Sequence, residues 1–294
     1  MNENDWLAER FEENRTRLRA VAYRILGSLS EADDAVQESW LRLSRSDASD
    51  IENLGGWLTT VVARLCLNML RSRKSRREEP LDVHLPDPII SRGDAMQPEH
   101  AALLADSVGL ALFVVLETLA PDERLAFVLH DMFAVPFDEI APIVGRSPMA
   151  ARQLASRARR RVKGSVPVPD TNLARQREVV DAFLAAARTG NLDALLAVLD
   201  PDVVRHADHR VEAPGRLRVV RGARAVAEGA LILSHIPDVR PAIVNGAAGL
   251  VGLDHAGRLI SVIGFTVTRG KIVELDVFVD PARLRRLDVS GLEG

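Results

Sequence analysis

The stretch that constrains the fold most is Pro136-Phe-Asp-Glu-Ile-Ala-Pro-Ile-Val-Gly145-Arg-Ser147-Pro148-Met-Ala-Ala-Arg152. Gly145 tolerates the positive φ of a tight turn. Ser147 is a typical N-cap and Pro148 is a typical first residue of a helix, so a new helix begins here. The stretch therefore predicts two helices joined by a short turn, which is the arrangement of a helix-turn-helix.

The second of these helices is predicted to run from Pro148 to Lys163 with an apolar stripe on one side. Residues 145–164 contain several arginines and no acid. Such a helix fits the major groove of B-DNA, where its first residues face base edges and its later arginines face phosphates. The alternative is an amphipathic helix whose basic side is merely solvated. The candidate DNA contacts are Arg146, Ser147, Arg152, Gln153, Arg157, Arg159 and Arg160.

The composition is that of an ordinary globular protein: 294 residues, 47% hydrophobic, 27% charged and a formal net charge of -3. This excludes a disordered chain and a nucleic-acid binder that is basic throughout, but not one that is basic locally. The single cysteine, Cys66, excludes a disulfide framework and a cysteine-rich zinc site. There is no apolar run of a signal peptide or of a membrane span. We therefore expect a cytoplasmic protein with no membrane contact.

Two proline-rich breaks divide the chain, one at residues 79–100 and one at 165–170. Prolines at this density block continuous helix and sheet, so we interpret 79–100 as a linker. The predicted domains are 1–78, 101–164 and 171–294. The first two are helical. The third predicts helices packed on a mostly antiparallel sheet, an α+β domain, with strands over 203–207, 216–220, 239–245, 258–268 and 271–279.

The first part carries two charged helical motifs. They are Glu31-Ala-Asp-Asp34-Ala-Val-Gln-Glu38-Ser-Trp-Leu and Gly56-Trp57-Leu-Thr-Thr-Val-Val-Ala-Arg64-Leu-Cys-Leu-Asn-Met-Leu-Arg71. The first motif is acidic, whereas the second is apolar at helical spacing and runs into a basic end. Taken alone, each motif is typical of a helix with a solvated charged face.

These two motifs resemble region 2 of the extracytoplasmic-function sigma factors of bacterial RNA polymerase. Leu116-Glu-Thr-Leu-Ala-Pro121-Asp-Glu-Arg124-Leu-Ala-Phe-Val-Leu, with the helix-turn-helix, resembles their region 4. The resemblance covers nearly all of residues 6–163. It implies two all-α sigma domains that bind the RNA polymerase core and promoter DNA.

The resemblance also implies roles for individual residues. The acidic helix would dock on the polymerase core, because an exposed carboxylate-rich face suits a basic partner. Its contacts are Asp33, Asp34, Gln37 and Glu38. The following loop and helix would hold the −10 element, since single-stranded bases need polar pockets and a cationic track. Their contacts are Asn53, Arg64, Arg71 and Arg73. The helix-turn-helix would read the −35 element as duplex.

The third part resembles SnoaL-like domains, a cone-shaped α+β fold. The matching text is Gly190-Asn-Leu-Asp-Ala-Leu-Leu-Ala-Val-Leu-Asp-Pro-Asp-Val-Val, Arg221-Gly222-Ala-Arg-Ala-Val-Ala, Val244-Asn-Gly246, Gly270-Lys-Ile-Val-Glu-Leu-Asp and Asp280-Pro-Ala-Arg-Leu. The full arrangement is similar to sigma factors that carry a fused SnoaL-like extension. That resemblance implies regulation in cis, without a separate anti-sigma protein.

Two short motifs are typical of that subgroup. The linker carries Leu85-Pro86-Asp87-Pro88, which resembles Leu-Pro-Glu-Pro. The extension carries Asp-Gly-Gly-Gly-Lys, whose place here is Asp208-His-Arg-Val-Glu212, so only the aspartate is retained. The candidate regulatory residues are Pro86, Asp87, Pro88 and Asp208. We also consider Arg283, Arg285 and Arg286 as partners of acids in the sigma domains or the linker.

The segment His206-Ala-Asp208-His209 raises the question of an enzyme or a metal site. On a strand, His206 and Asp208 share one face, which we expect to point into the cone, while His209 points away. This separates the two histidines and argues against a shared metal, so we predict no metal, no cofactor and no catalytic residue. A cone lined by apolar side chains, among them Phe265 and Phe278, would instead suit an apolar ligand.

The sequence therefore predicts a sigma factor with no turnover of its own. One alternative is a one-component transcription factor that senses a ligand and never contacts polymerase. A second alternative is an enzyme of the isomerase or cyclase type that carries a DNA-binding module.

Overall fold

The computed structural model describes residues 3–46, 51–76, 85–91, 109–165, 167, 169–208 and 218–287. The chain forms two compact units. The helical unit takes its described residues from Met1–Leu81 and Val115–Ser165. The sheet unit takes them from Asp82–Gln97, Ser107–Val114 and Val166–Gly294.

The helical unit is built from amphipathic helices around a Leu- and Val-rich core. Its helices are α1 Glu3–Leu26, α2 Leu29–Leu43, α3 Leu54–Arg76, the end of α4 Gly109–Glu117, α5 Pro121–Phe127, α6 Phe137–Val144 and α7 Pro148–Ser165. Pro121 is the first residue of α5, as its fixed φ favours, and a π-helical turn, Val128–Met132, follows. Cys66 is fully buried in α3, and burial strongly raises the pKa of its thiol, so it is an inert core residue.

The sheet unit combines helices with one curved, mostly antiparallel sheet. Its helices are α8 Leu173–Thr189, α9 Leu192–Val198, α10 Ala223–Ala230 and α11 Pro281–Leu284, with a 3₁₀ turn Leu231–His235. Its strands are β1 Ile90–Ser91, β2 Leu199–Ala207, β3 Arg218–Arg221, β4 Asp238–Val244, β5 Ala247–Leu253, β6 Leu259–Thr268 and β7 Lys271–Phe278. The described strands lie in the order β1-β4-β5-β6-β7-β2-β3, and only the pair β2–β7 is parallel among them.

The two faces of this sheet have separate apolar cores. On one face α8, α9 and α10 pack on residues such as Ile263, Phe265 and Leu275. On the other face the segment 85–90, the start of α4 and the end of the chain cover Val244, Val262 and Phe278; these covering residues are Leu85, Ile90, Leu110, Leu284 and Leu287. The expectation that Phe278 lines the cone is therefore wrong, because it lies on the opposite face from Phe265.

Two strands differ from the sequence prediction. Strand β5 is buried at nearly every position, so its sequence does not alternate between polar and apolar residues, and the strand was not predicted. Strand β1 lies inside the proline-rich segment, where we expected no sheet. Ile90 and Ser91 lie between Pro88 and Pro98 and are not prolines themselves, so they can pair with Val244 and Ile243 of β4.

Candidate nucleic-acid interface

The acidic residues of α2 lie mainly on an exposed face. Asp33, Asp34 and Gln37 are exposed, and Glu38 is half-buried. Two of the carboxylates already have cationic partners within the helical unit. Arg19 donates to Asp33 at 2.6 Å, and Arg42 donates to Glu38 at 3.0 Å. The face is therefore acidic but partly neutralised.

Residues proposed for the −10 element begin at the N-terminus of α3. The side-chain oxygen of Asn53 accepts a hydrogen bond from the amide of Gly56 at 3.0 Å, so Asn53 caps the helix. A Cβ at Gly56 would lie 2.8 Å from the Asn53 amide nitrogen, so glycine keeps this cap compact. The loop residues 47–50 lie outside the described residues.

The three arginines of α3 have different surroundings. Arg64 is exposed. Arg71 is also exposed but pairs with Asp122 of α5 at 2.9 Å. Arg73 is half-buried, where it pairs with Glu31 of α2 and donates to the carbonyl of Leu26 at 3.1 Å. The structure thus keeps Arg64 and Arg71 on the surface but draws Arg73 towards α2.

The helix-turn-helix forms as the sequence predicts. Helix α6 ends at Gly145, whose φ of 68° places it in the left-handed region. The hydroxyl of Ser147 accepts from the amide of Ala150 at 3.3 Å, which caps α7. Ala151, Ala155 and Ala158 form the buried side of α7. These small side chains allow α7 to pack close to the rest of the unit.

Several basic side chains of α7 are held by partners outside α7. Glu123 of α5 accepts from Arg157 at 2.8 Å and from Arg161 at 3.3 Å. Asp131 pairs with Arg159 at 2.6 Å. The guanidinium of Arg152 lies over the ring of Phe137 at 5.3 Å. In contrast, Arg146, Gln153 and Arg160 are exposed.

Glu123 and Asp131 were not predicted from the sequence as partners of α7. Glu123 lies in the first turn of α5, within the region 4 motif, where an acid is usually explained by the helix dipole. Asp131 lies just after that motif, in the π-helical turn. Both acids are far from α7 along the chain, so the sequence does not show that they form ion pairs with arginines of α7. The available signal was the density of arginines on α7, since so many cations on one helix favour acids on its neighbours.

The linker motif and Asp208 meet at Arg283. One nitrogen of Arg283 donates to Asp87 at 2.9 Å and to the carbonyl of Leu85 at 2.7 Å, and the other donates to Asp208 at 3.2 Å. Pro86 and Pro88 are buried on either side of Asp87. Of the three C-terminal arginines considered above, Arg283 thus pairs with the linker.

Asp208 also accepts backbone hydrogen bonds at the end of β7. The amides of Val279 and Asp280 donate to it at 2.6 and 3.2 Å. Burial raises the pKa of Asp208, against the opposing effect of these amides and of Arg283. The carboxylate of Asp208 therefore binds the backbone after β7 and, through Arg283, the linker. His209 and the rest of that motif lie outside the described residues.

His206 contacts two acids of β7 instead of Asp208. Its Nδ1 lies 3.1 Å from Asp276 and 3.2 Å from Glu274. Burial by itself lowers the pKa of His206, but the hydrogen bonds to both carboxylates outweigh it and raise the pKa to about 9. Burial raises the pKa of Asp276 to about 6. Among the described residues this is the one group of histidine and acid side chains close enough to share a metal ion.

The cone contains a cavity of about 260 Å³, most of whose lining is apolar. Arg205 and Ser261 are its polar lining residues, and Phe183 and Ile263 are among its apolar ones. Arg205 precedes His206 on β2, so alternation places His206 on the opposite face of the sheet, away from this cavity. The expectation that His206 points into the cone is therefore wrong.

No helix in the described part of the chain has the length and hydrophobicity required to span a membrane.

Comparison with known proteins shows similarity to sigma factors over most of the chain. The Sigma-70 region 2 family matches residues 10–76, and the Sigma-70 region 4 family matches residues 110–162. The ECF RNA polymerase sigma factor SigJ of Mycobacterium tuberculosis is 40% identical over 291 residues, which cover 92% of this chain and 91% of SigJ. The probable ECF RNA polymerase sigma factor SigI of the same species is 37% identical, with 97% of both chains covered. The crystal structure of M. tuberculosis SigJ superimposes with a TM-score of 0.75 at 36% identity, over 96% of this chain and 99% of that one.

Proposed function

The chain belongs to the extracytoplasmic-function sigma factors of RNA polymerase, and we propose that its helical unit carries separate surfaces for polymerase, for the −10 element and for the −35 element. As a sigma factor it directs RNA polymerase in transcription initiation and is not an enzyme in the usual sense. The α+β architecture of the sheet unit is consistent with a SnoaL-like domain. One observation carries the proposal. The same chain contains an acidic helix, α2, and, later in the sequence, a helix-turn-helix whose second helix, α7, has basic residues and no acid.

The exposed face of α2 supports polymerase binding. Carboxylates on such a face attract a basic partner and orient it before contact. Asp33 and Glu38 are partly neutralised by Arg19 and Arg42, whereas Asp34 has no ion pair among the described residues. We therefore assign the largest share of the attraction to Asp34.

Helix α7 supports recognition of the −35 duplex. Arg146 and Gln153 lie near its start, where a recognition helix faces base edges, and Arg160 lies further along, where phosphates are expected. Arg157 and Arg159 are held by Glu123 and Asp131, so their guanidinium groups are positioned before DNA arrives. Such pre-positioning reduces the side-chain entropy lost on binding.

Helix α3 and its N-terminal cap support binding of the −10 strand. Arg64 and Arg71 are exposed and seven residues apart, so they lie on one side of the helix. Together they form a cationic track of the kind that single-stranded DNA follows. Asn53 contributes the polar group at the helix N-terminus, and its amide nitrogen remains available while its oxygen caps α3.

We propose that the sheet unit regulates the sigma factor in cis through the linker. Arg283 fixes Leu85 and Asp87 to Asp208, so the linker is tied to the sheet unit by ionic and backbone bonds. A change in this attachment alters the length of chain free to extend between the two sigma regions. In this proposal a separate anti-sigma protein is not required.

In vitro transcription tests this function. Purified chain and core polymerase are mixed with fragmented genomic DNA, and the 5′ ends of the transcripts are mapped. We expect start sites that share one pair of −35 and −10 elements. An absence of promoter-dependent transcripts would contradict the proposal. A chain that binds the same DNA but is not retained by core polymerase would instead favour a one-component transcription factor.

A further inference from the structure

Strands β2 and β7 bring a histidine and two acids together on one face of the sheet. Both strands run in the same direction, with His206 level with Asp276 and Val204 level with Glu274. Glu274 and Asp276 are two residues apart, so they point to the same side of β7. The three groups therefore come from rigid, hydrogen-bonded strands, which hold side chains more precisely than loops do.

The spacing of the three groups matches that of ligands around one metal ion. The ligand atoms of all three residues lie within 4.8 Å of one another, and two of the separations are 3.1 and 3.2 Å. Nitrogen and oxygen ligands lie about 2.1 Å from a metal such as zinc, so neighbouring ligands are roughly 3.0–3.4 Å apart in octahedral or tetrahedral geometry. A small movement of the side chains is thus sufficient to receive an ion.

The charge of the cluster favours a divalent cation. Glu274 and Asp276 are buried, and even a protonated His206 leaves one negative charge uncompensated among these three groups. A divalent ion must displace the proton of the His206 imidazolium into solvent. The ion, the neutral imidazole and the two carboxylates are then electrically neutral together, which reduces the cost of burying these charges. His206 and Glu274 keep 12% and 10% of their side chains exposed, which gives an ion a route inwards.

We propose that His206, Glu274 and Asp276 form a binding site for a divalent transition-metal ion that joins β2 to β7. One imidazole and two carboxylates suit zinc, manganese or iron(II), whereas calcium and magnesium prefer oxygen ligands alone. The site lies in the sheet unit, on the sheet face opposite the cone cavity. Its histidine, His206, lies two residues before Asp208, and Asp208 accepts a hydrogen bond from Arg283.

Titration of the full chain with ZnCl2 tests the site. After treatment with a chelator, the protein is studied by isothermal titration calorimetry and by thermal unfolding. We expect one tightly bound ion per chain and a higher Tm, because an ion that binds only the folded state stabilises it. X-ray absorption at the zinc edge should show one imidazole nitrogen and carboxylate oxygens.

Variants separate this site from adventitious binding. Glu274→Gln and Asp276→Asn preserve side-chain shape but remove the anionic ligand, and we expect each to weaken zinc binding at least tenfold. His235→Gln is the control, because His235 is an exposed histidine of the same unit and should leave binding unchanged. Circular dichroism verifies that each variant is folded.

Two outcomes overturn the proposal. One is the absence of a one-to-one isotherm and of any rise in Tm with ZnCl2. The other is zinc binding that is unchanged in Glu274→Gln and Asp276→Asn, or reduced equally in His235→Gln. In either case the cluster is a pairing of His206 with two carboxylates that holds no metal.

Discussion

Arg283 shows what one side chain contributes to this molecule. Its planar guanidinium contacts two carboxylates and a backbone carbonyl at the same time, and it lies over the ring of Phe278 at 5.3 Å. Only arginine offers donors in a fixed fork that can do this. The attachment of the linker therefore depends on the geometry of the side chain as well as on its charge.

Replacing Arg283 by lysine tests this dependence. Lysine retains the charge but cannot span Asp87, Asp208 and the Leu85 carbonyl together, so we expect a loss of about 1.5–3 kcal/mol in the free energy of unfolding. Urea denaturation followed by circular dichroism measures this loss. Arg285→Lys is the control, since Arg285 is exposed. Equal stability of the two variants would contradict the assigned role.

Gly145 contributes through its backbone. Its φ is 68°, and no heavy atom lies within 4 Å of a Cβ built there, so alanine would be strained without a steric clash. We expect Gly145→Ala to lower the free energy of unfolding by about 1–2 kcal/mol. Gly164→Ala is the matched control. A Cβ at Gly164 also enters open space, but Gly164 lies within helix α7 and does not have a left-handed backbone. There alanine should be neutral or stabilising.

At the scale of the element, α7 is an amphipathic helix whose position is set from both sides. Small alanines on its buried side permit close packing, while Glu123 and Asp131 hold arginines on its flanks. The acids reduce the local positive charge and fix where Arg157 and Arg159 point, whereas Arg146 and Arg160 keep their full charge. In the proposed −35 interface, affinity for any DNA and discrimination among sequences therefore depend on different residues of α7.

Removing the charge of Glu123 separates these two properties. In Glu123→Gln the net positive charge near α7 increases and Arg157 loses its anchor. We expect tighter binding to random duplex and a smaller ratio between promoter and random duplex, measured by fluorescence anisotropy at several salt concentrations. Asp138→Asn, at an exposed acid of α6, is the control. The affinity of the Asp138→Asn variant should rise slightly for both duplexes, and the ratio between its affinities for promoter and random duplex should be unchanged.

At the scale of the whole molecule, the units do not follow the order of the chain. The linker segment 85–91 and the start of α4 belong to the sheet unit, although the residues after them return to the helical unit. Leu85, Ile90 and Leu110 fill an apolar face of the sheet that includes Val262 and Phe278. The apolar core of the sheet unit is consequently incomplete without a segment that precedes the helix-turn-helix.

Truncation after Ser165 tests this arrangement. It uncovers Leu85, Ile90 and Leu110, so we expect the shortened chain to be less soluble and to bind more of an apolar dye than the full chain. Core affinity and transcription should also change if the sheet unit regulates in cis. Unchanged transcription by the truncated chain would exclude that regulation. A truncated chain in which Leu85, Ile90 and Leu110 are replaced by serine is the control, because it lacks the newly exposed apolar side chains that would cause aggregation.

Polymerase binding belongs to the same scale. Charge reversal in Asp34→Lys/Glu38→Lys should weaken association with core polymerase at least tenfold, because opposite charges become like charges. Surface plasmon resonance measures the affinity. Asp181→Lys/Asp193→Lys, at exposed acids of the sheet unit, makes the same change in net charge elsewhere. Similar losses in both double variants would contradict a specific role for α2.

The helix-turn-helix and the two charged helices were determined by the sequence itself, because caps, turn glycines and 3.6-residue periodicity act between near neighbours. Gly145, Ser147 and Pro148 specify where one helix ends and the next begins, whatever packs around them. The α+β class of the third part followed in the same way from alternating residues, although β5 escaped because both of its faces are buried.

Tertiary structure alone decided which charges meet. His206 pairs with Glu274 and Asp276, Arg157 pairs with Glu123, and Arg283 pairs with Asp87, each across a long stretch of chain. Such pairs depend on strand register and helix packing, which arise from the summed burial of many apolar side chains. No local pattern around either partner records them, so the metal-binding cluster and the attachment of the linker became visible only in the folded chain.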